Sequence, residues 1–507
     1  MRVFEFDHEY WTETAGNLMS RRNVINSPKI TNNADGDYKI IVDPAQRKQD
    51  WLGVGAAITD SAASLIWRSQ DAKQRHRLLT ELFSPDQAGF NFIRLPLGSC
   101  DFSSQKYYTY DDLPFGEQDY KLENFSIGTG KPGASQATKD LKNIIPVVQE
   151  ILTINPAVKI IASPWSAPAW MKNTGHLTFG GHLRFGEFTG NGYDSSVDSF
   201  EAVYANYFVK YIEAYAQYGI PIYGITVQNE PSNAAHWPAM IWTLREQASF
   251  VSQYLRRALD ASYPETKIYI NDDSLHVLDR PIDSSVSNEQ AMKIDGLAIH
   301  TYQVPHENLF NGVRSYSHWQ LGMTERRCMM NETVEDASRI MFGTIGNWLV
   351  RNGLNFATLW NLALDERGLP NAADSTGRRG VVTIDHHTGK VQRNLEYFML
   401  RNFGQDVSLG ATVIQSSDYT ENGIEGGIGS VAFLGINGDI TIQLYNPNAH
   451  ARTASIGLAG NGNCWQTVTV PAWGTVTCHK SNRDINVSNV PADDSFKLNP
   501  TPANNFE

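Results

Sequence analysis

Cysteine is scarce in this chain of 507 residues, which contains only four. The four cysteines, Cys100, Cys328, Cys464 and Cys478, form no CxxC pair and no other metal-ligand spacing. This disfavours a zinc site and a disulfide framework, and we expect neither a metal nor a cofactor. Cys464 and Cys478 flank a short strand-turn-strand stretch, so a single bridge between them stays open.

Long apolar runs are also missing. No run reaches the roughly 18 apolar residues of a membrane-spanning helix, so we expect no membrane partner. The N-terminal residues MRVFEFDHEYWTETAGN contain neither the apolar core nor the small-residue cleavage site of a secretory signal. If Met1 is the native start, this pattern predicts a cytoplasmic protein.

A surplus of positive charge is absent as well. The chain has 42 Lys and Arg against 54 Asp and Glu, a net charge of -12. This disfavours a nucleic-acid partner, because neutralising phosphates requires clustered cations. The segment GVGAA at Gly53–Ala57 lacks the three-glycine pattern of a phosphate loop. A neutral small-molecule partner fits better, and the sequence leaves the oligomeric state open.

Aromatic residues, in contrast, are plentiful. The chain contains 12 Trp, 21 Tyr and 22 Phe. Most of them are expected to fill a large core. Their number nevertheless exceeds what such a core requires, and sugar rings stack on flat aromatic faces. The composition therefore favours a carbohydrate as the small-molecule partner.

Short β-branched runs alternate with amphipathic stretches from about residue 50 to about residue 403, which is typical of repeated βα units. Val197–Tyr218 and Leu244–Leu259 have the apolar spacing of helices. We predict a closed (β/α)8 TIM barrel over residues 49–404. Its eight candidate strands are Leu52–Ile58, Phe90–Leu95, Val158–Ala162, Ile222–Gln228, Lys267–Asn271, Gly296–His300, Gln320–Thr324 and Asn355–Trp360.

The flanks of the barrel have a different pattern. Residues 1–48 contain strand candidates around VFEF and YKIIVDP. Residues 405–507 begin with the β-like segments ATVIQ, SVAFLGING, DITIQLYNP and WQTVTVPAWGTVTC. Together the two flanks predict an appended β-sandwich side domain. The polar stretch from Ser481 to Glu507 is expected to lie irregularly on the surface or to fray.

Polar and aromatic residues gather at the C-terminal ends of the candidate strands, where the catalytic groups of a barrel lie. Carboxylates can perform acid-base chemistry, Asn and Asp can bind hydroxyl groups, and aromatic rings can stack on a sugar. In chain order the ends carry Asp60, Arg94, Trp165, Asn229 with Glu230, Asp272 with Asp273, His300 with Tyr302, Glu325, and Trp360 with Asn361.

Two glutamates are the candidate catalytic pair. Glu230 follows an apolar strand in ITVQNEP, where proline ends the strand and leaves the carboxylate at the barrel mouth. An isolated NEP would instead be an ordinary strand end or helix cap. Glu325 ends a strand in WQLGMTER and is preferred to Glu332, which suits the start of a helix over Thr333–Val350. Carboxylates about 5 Å apart support a retaining double displacement, and wider spacing would imply inversion.

The supporting residues each have a structural alternative. Arg94 either pairs with a barrel carboxylate or holds the nucleophile ionised by its charge and hydrogen bonds. Trp165 and Trp360 could be core aromatics, but their strand-end positions favour sugar stacking. His300 fits a buried histidine as well as a ligand contact. The pair Asp272–Asp273 could form a turn, a cation site or a cap and stays outside the catalytic set.

Seven ordered segments resemble the glucosylceramidase-like branch of glycoside hydrolase family 30, from about residue 50 to about residue 403. They are WLGVGAAITDSAASLI, FNFIRLPLGSCDFS, IIASPWSAPAWMKNTG, YGITVQNEPS, IDGLAIHTY, MTERRC and LWNLALDERGLPN. The resemblance implies a barrel with a side β-domain and a retaining mechanism, with Glu230 as acid/base and Glu325 as nucleophile. It also implies substrate-binding roles for Asp60, Trp165, Asn229 and Trp360, and by looser matching for His300 and Tyr302. We add Asn361 to the substrate-binding set because it stands at the end of a strand beside Trp360.

The chain departs from this family after the nucleophile. Relatives typically read Glu-Ala-Cys or Glu-Ser-Cys, whereas Arg326 and Arg327 precede Cys328 here. Because this loop would shape the aglycone side, we expect small soluble β-glucosides or β-xylosides rather than ceramide glycolipids. We therefore predict an exo-acting retaining β-glycosidase of β-glucosidase or β-xylosidase type. An endo-β-1,6-glucanase or a glucosylceramidase is the alternative enzyme, and a carbohydrate-binding protein with a decayed site is the alternative outside catalysis.

Overall fold

A computed structural model describes residues 2–6, 23–25, 30–128, 138–184, 199–274, 282–303, 307–373, 377–462 and 464–482. Eight parallel strands close into a barrel in which the last strand pairs with the first. The strands are β1 Gly53–Ala57, β2 Phe92–Leu97, β3 Lys159–Pro164, β4 Gly224–Thr226, β5 Lys267–Ser274, β6 Gly296–His300, β7 Gln320–Glu325 and β8 Leu354–Leu359. The barrel prediction and all eight predicted strands are confirmed.

Helices follow the barrel strands, as the predicted βα pattern requires. The predicted helix Val197–Tyr218 is observed over Phe200–Ala216, and Val197 lies outside the described residues. Its beginning is set by Ser199, whose hydroxyl accepts from the backbone N–H of Ala202. The other α-helices of the described residues are Asp60–Ser69, Ala72–Phe83, Lys139–Lys142, Ile144–Ile154, Leu244–Phe250, Arg256–Asp260, Asn288–Ala291, Glu307–Arg314, Val334–Ser338 and Leu395–Gly404. The π-helical segments Val251–Leu255 and Arg339–Leu349 continue Leu244–Phe250 and Val334–Ser338, respectively.

The barrel interior is apolar where the strands begin and polar where they end. The rings of Phe92 and Phe356 stack with centroids 4.2 Å apart. Gly322 makes room for them, because a Cβ atom there would lie 2.1 Å from the ring of Phe356. Side chains two residues apart on a strand face the same side. Arg94 therefore enters the barrel directly above Phe92, and the polar site rests on an aromatic floor.

The two flanks combine into one hydrogen-bonded sheet of ten strands beside the barrel. In spatial order the strands are Asn23–Ile25, Arg2–Phe6, Thr475–Lys480, Ile440–Tyr445, Gly429–Leu434, Thr412–Ser416, Tyr38–Asp50, Arg452–Leu458, Trp465–Val470 and Ile30–Thr31. The long strand Tyr38–Asp50 pairs antiparallel with Thr412–Ser416 and parallel with Arg452–Leu458. The sheet has its own apolar core, centred on residues such as Ile40, Ile442 and Val476.

The structure also bears on the expectations about cysteine and membranes. Cys100, Cys464 and Cys478 are free thiols, so the bridge between Cys464 and Cys478 that the sequence left open is not formed. Within the described ranges, no helix combines the length and the apolarity needed to cross a bilayer. The expectation of an irregular tail falls mainly on residues 483–507, which lie outside the described residues.

Candidate active site

Glu325, the last residue of β7, is nearly buried at the C-terminal end of the barrel. Arg94 donates from Nη1 to Glu325 Oε2 at 2.6 Å, and Tyr302 donates from its hydroxyl to Oε1 at 2.6 Å. Each carboxylate oxygen thus has one strong donor, and the two donors fix the orientation of the carboxylate. Arg94 is fully buried, so its charge acts on Glu325 with little screening by water.

Arg94 also connects the ends of other strands to Glu325. Its Nη2 donates to Asn229 Oδ1 at 2.7 Å and to Asp272 Oδ2 at 2.9 Å, and its Nε donates to Ser163 Oγ at 3.2 Å. These residues follow or belong to β4, β5 and β3, respectively. A planar guanidinium with several fixed donors suits this role, and a lysine could not reproduce it.

The backbone turn after β4 directs Glu230 into the same site. Glu230 has a φ of 42°, which is uncommon for a residue with a Cβ atom, and its N–H donates to the carbonyl of Asp272 at 2.9 Å. Its Oε2 accepts from Asn233 Nδ2 at 2.9 Å. Its Oε1 faces Nδ1 of His300 at 3.3 Å. The turn and these two donors hold the carboxylate in place.

His300 lies between two carboxylates. Its Nδ1 faces Glu230, and its Nε2 lies 3.2 Å from Asp272 Oδ1. Burial alone would lower the pKa of His300, but the charge of Glu325 and the hydrogen bonds to Asp272 and Glu230 raise it to about 10. His300 is therefore an imidazolium at neutral pH, with both nitrogens donating.

The same cations act on the neighbouring acids. Burial would raise the pKa of Asp272, but the charge of Arg94 and the hydrogen bond from His300 hold it well below its usual range. Burial would likewise raise the pKa of Glu230, yet the hydrogen bond and charge of His300 lower it overall. In the unliganded site both carboxyls are therefore ionised at neutral pH.

The carboxylates of Glu230 and Glu325 approach closely. One oxygen of each lies within 4.8 Å of the other and of a ring nitrogen of His300. Such a group could in principle hold a cation, but the guanidinium of Arg94 would repel it. A second group with suitable spacing, Asp365, Glu366 and His386, is also compromised, because Arg367 binds the Asp365 carboxylate at 2.6 Å.

Trp165 and Trp360 form an aromatic pair beside the guanidinium. Their ring centroids are 5.2 Å apart with an interplanar angle of 24°, and Cζ of Arg94 lies 4.9 Å and 5.5 Å from them. The neighbouring Asn361 is buried, and neither polar atom of its side chain has a hydrogen-bond partner within the described part of the chain. A sugar hydroxyl would satisfy this amide.

The carboxylate of Asp60 is bound within the protein, whereas Asp101, which the sequence did not indicate, is affected by the charge of Glu325. Protein donors occupy both carboxylate oxygens of Asp60, with Ser104 at 2.6 Å and Asn143 at 2.7 Å. The negative charges of Glu325 and Glu230 act on Asp101 instead. Burial, followed by the negative charge of Glu325, raises the pKa of Asp101 to about 7 against the opposing charge of Arg378. The role of Asp60 in substrate binding stays a prediction.

Three residues of the site were missed or left undecided. Asp272 lies at its centre, Asp101 follows β2, and Asn233 binds Glu230. Their positions carried a signal, because Asp272 lies near the C-terminal end of β5 and the other two lie a few residues beyond a barrel strand. Glu332, the alternative candidate for the nucleophile, instead accepts a hydrogen bond from Arg326 at 3.0 Å. It lies just before the helix that begins at Val334. The geometry thus favours Glu325 over Glu332.

A parallel eight-stranded barrel with two adjoining glutamates at its C-terminal end defines a glycoside hydrolase. The glycosyl hydrolase family 30 TIM-barrel domain matches residues 52–376, and the chain belongs to this family. The family resemblance noted in the sequence is therefore confirmed.

Named relatives and solved structures agree with this assignment. The chain is 32% identical to the endo-1,6-β-D-glucanase BGN16.3 of Trichoderma harzianum over 79% of this chain and 78% of the relative. It is 30% identical to the lysosomal acid glucosylceramidase of Mus musculus over 66% and 63%. The solved structure of the endo-β1,6-glucanase BT3312 matches with a TM-score of 0.76 and 26% identity, covering 95% of this chain and 99% of that one.

Proposed function

We propose that this chain hydrolyses β-glucosidic linkages with retention of configuration at the anomeric carbon. The observation that carries the proposal is the approach of Glu230 and Glu325 oxygens to within 4.8 Å. Retaining glycosidases hold their two carboxyl groups about 5–5.5 Å apart, whereas inverting enzymes leave about 6.5–9.5 Å for a water molecule. The site therefore suits a double displacement.

In this mechanism Glu325 attacks the anomeric carbon, while Glu230 protonates the departing glycosidic oxygen. The C–O bond to the leaving group breaks as the covalent glycosyl-enzyme forms. Glu230 then removes a proton from water, which displaces Glu325 and releases the sugar. Arg94 and Tyr302 keep the Glu325 carboxylate oriented for attack in both steps.

The acid role of Glu230 depends on the substrate. His300 lowers the pKa of this carboxyl in the unliganded site, whereas the first step requires its protonated form. A bound sugar excludes water from the carboxylate, and desolvation disfavours the charged form. We therefore propose that substrate binding brings the proton onto Glu230. The acid is then prepared only when a leaving group is present.

We propose β-1,6-linked glucan as the first substrate to test. Relatives from Trichoderma harzianum and Aspergillus fumigatus that are at least 30% identical over about four fifths of this chain are named endo-1,6-β-D-glucanases. Exo-acting hydrolysis of small β-glucosides or β-xylosides is the second candidate. The low exposure of Glu325, 6%, favours it, because a narrow opening to the reacting carboxylate suits a single terminal sugar. The cytoplasmic location stays a prediction.

The test combines a substrate panel with azide rescue. The panel contains β-1,6-glucan, p-nitrophenyl β-glucoside, p-nitrophenyl β-xyloside and glucosylceramide. Glu230→Ala should lose activity and yield a β-glycosyl azide with azide present, and Glu325→Ala should yield an α-glycosyl azide. Glu332→Ala is the matched control and should keep its activity. Inversion of configuration by the wild type, or full activity of either catalytic variant, would refute the mechanism.

A further inference from the structure

A short strand pairing beside Glu325 brings two pairs of arginines together. Arg326 and Arg327 lead into the two-residue strand Cys328–Met329, which pairs antiparallel with Arg378–Arg379. A chain with a net charge of -12 therefore concentrates positive charge at one edge of its active site. Such a cluster requires anions nearby, because like charges at short distance repel each other.

Three of the four arginines form an ion pair with a carboxylate of the protein. Arg326 pairs with Glu332 at 3.0 Å, Arg378 with Asp101 at 3.1 Å, and Arg379 with Glu396 at 2.7 Å. Arg327 differs from them, since no carboxylate lies within 4.0 Å of its guanidinium in the described portion of the chain. It is also only half-buried, so its charge remains accessible to a ligand.

The position of Arg327 is nevertheless well defined. Its backbone forms a parallel bridge with Trp360, and the N–H of Trp360 donates to the carbonyl of Arg326 at 2.9 Å. The guanidinium lies over the ring of Tyr302, 4.9 Å from the centroid. Because the Tyr302 hydroxyl donates to Glu325, only one tyrosine side chain separates this cation from the nucleophile.

The guanidinium of Arg327 lies on the Oε1 side of Glu325. Glu325 Oε2 faces Arg94, which stands beside Trp165 and Trp360, whereas Oε1 faces Tyr302. The ring of Tyr302 is 6.2 Å from that of His300, which contacts the acid/base Glu230. We take the leaving group to emerge on the Tyr302 side, because the other oxygen of Glu325 faces Arg94 and the aromatic pair.

We propose that Arg327 determines specificity by binding an anionic substituent, a carboxylate or a phosphate, on the leaving-group part of the substrate. The proposal rests on the retaining glycosidase function argued above. Carboxylates and phosphates match the planar donors of a guanidinium. The Tyr302 ring orients these donors, and partial burial strengthens their attraction for an anion.

The test compares leaving groups that differ in charge. The probes are the β-glucosides of 5-hydroxy-2-nitrobenzoic acid, of its methyl ester and of the analogous phosphonate, or the β-gentiobiosides if the wild type acts on the disaccharide. The readout is the ratio of kcat/KM for each anionic probe to kcat/KM for the ester. We expect a ratio clearly above one at low salt, and a fall toward one in 0.5 M NaCl because salt screens a partly exposed ion pair.

Variants assign this ratio to Arg327. Arg327→Gln should lower it about tenfold, as expected for a charge-assisted hydrogen bond, and Arg327→Lys should lower it by a smaller factor, because the charge is kept and the planar donors are lost. Arg257→Gln removes the same charge from an exposed helix position and should keep the wild-type ratio. The carboxylate and phosphonate probes show which anion is preferred.

The possible failures are distinguishable. Hydrolysis of all probes by the wild type with a salt-independent ratio near one would overturn the role of Arg327 and leave the proposed function intact. An unchanged ratio in Arg327→Gln would do the same. No hydrolysis of any glucoside or gentiobioside probe would contradict the proposed function and the inference together.

Discussion

Arg94 is the residue whose loss should damage the barrel most. It is completely buried and donates four hydrogen bonds of 2.6–3.2 Å, two of them to the carboxylates of Asp272 and Glu325. Arg94→Met would keep an unbranched apolar stem but remove the guanidinium, and it would leave both carboxylates without this partner. His300 would then be the remaining cation in contact with Asp272.

The expected cost follows from this arrangement. Removing one partner of a buried ion pair costs about 3–5 kcal/mol, because the remaining charge stays desolvated. Two carboxylates depend on Arg94, so the upper part of this range applies. Arg94 also holds the pKa of Asp272 low, a contribution to stability that is present at neutral pH and is lost as the pH falls below about 4. The deficit of the variant should therefore shrink in acid.

Urea unfolding followed by tryptophan fluorescence measures this cost, since Trp165 and Trp360 lie within 5.5 Å of the guanidinium. Arg94→Lys should recover part of the stability, because an ammonium keeps the charge but cannot reach all four acceptors. Arg257→Met is the exposed control and should change little. A loss below 1 kcal/mol in Arg94→Met, or a deficit equal at pH 7 and pH 3, would refute this reasoning.

Two other substitutions probe single contacts. Tyr302→Phe should lower kcat/KM about 10- to 100-fold with little change in the thermal midpoint, because a hydrogen bond to a charged group contributes about 1.5–3 kcal/mol. Unaltered kinetics would exclude a role of Tyr302 in orienting Glu325. Asp101 has a pKa raised to about 7, so in the wild type its contribution to stability falls as pH rises from about 4 to 7. Thermal scans of Asp101→Asn should show a gain over the wild type at pH 8 that vanishes near pH 4, and parallel curves would contradict this.

The barrel could be predicted because its strands are short, buried and regularly spaced. The predicted Gly296–His300 coincides with β6, and the polar residues that end the strands do converge. The side sheet was less accessible to sequence reasoning. Its strand Arg452–Leu458 pairs in parallel with Tyr38–Asp50, more than 400 residues away, and no local pattern encodes such a partner.

The central aspartate escaped prediction for a physical reason. Along the pairing of β5 with β6, Ala298 lies opposite Asn271 and Ile299 opposite Asp273, so Asp272 is the extra residue of a β-bulge. Asn271 and Asp272 both have positive φ values, 72° and 52°. A bulge re-aims the extra side chain, whereas strict alternation assumes that every residue is paired. The sequence therefore revealed the Asp-Asp pair but not which carboxyl enters the site.

The charges of the site explain why one proton must accompany the substrate. Among the described residues, the carboxylates of Glu230, Glu325 and Asp272 form their ion pairs with two cations, Arg94 and His300. Protonating Glu230 makes the group neutral for the first step. In the glycosyl-enzyme the ester removes the charge of Glu325, and Glu230 is ionised again as the base. The group of side chains is therefore still neutral. Both productive states are thus neutral, which suits a desolvated pocket. The test is calorimetric titration with an uncharged lactam that mimics the glycone, in buffers of different ionisation enthalpy at pH 7. Binding should be linked to the uptake of about one proton per site. Binding without proton uptake would refute this account of Glu230.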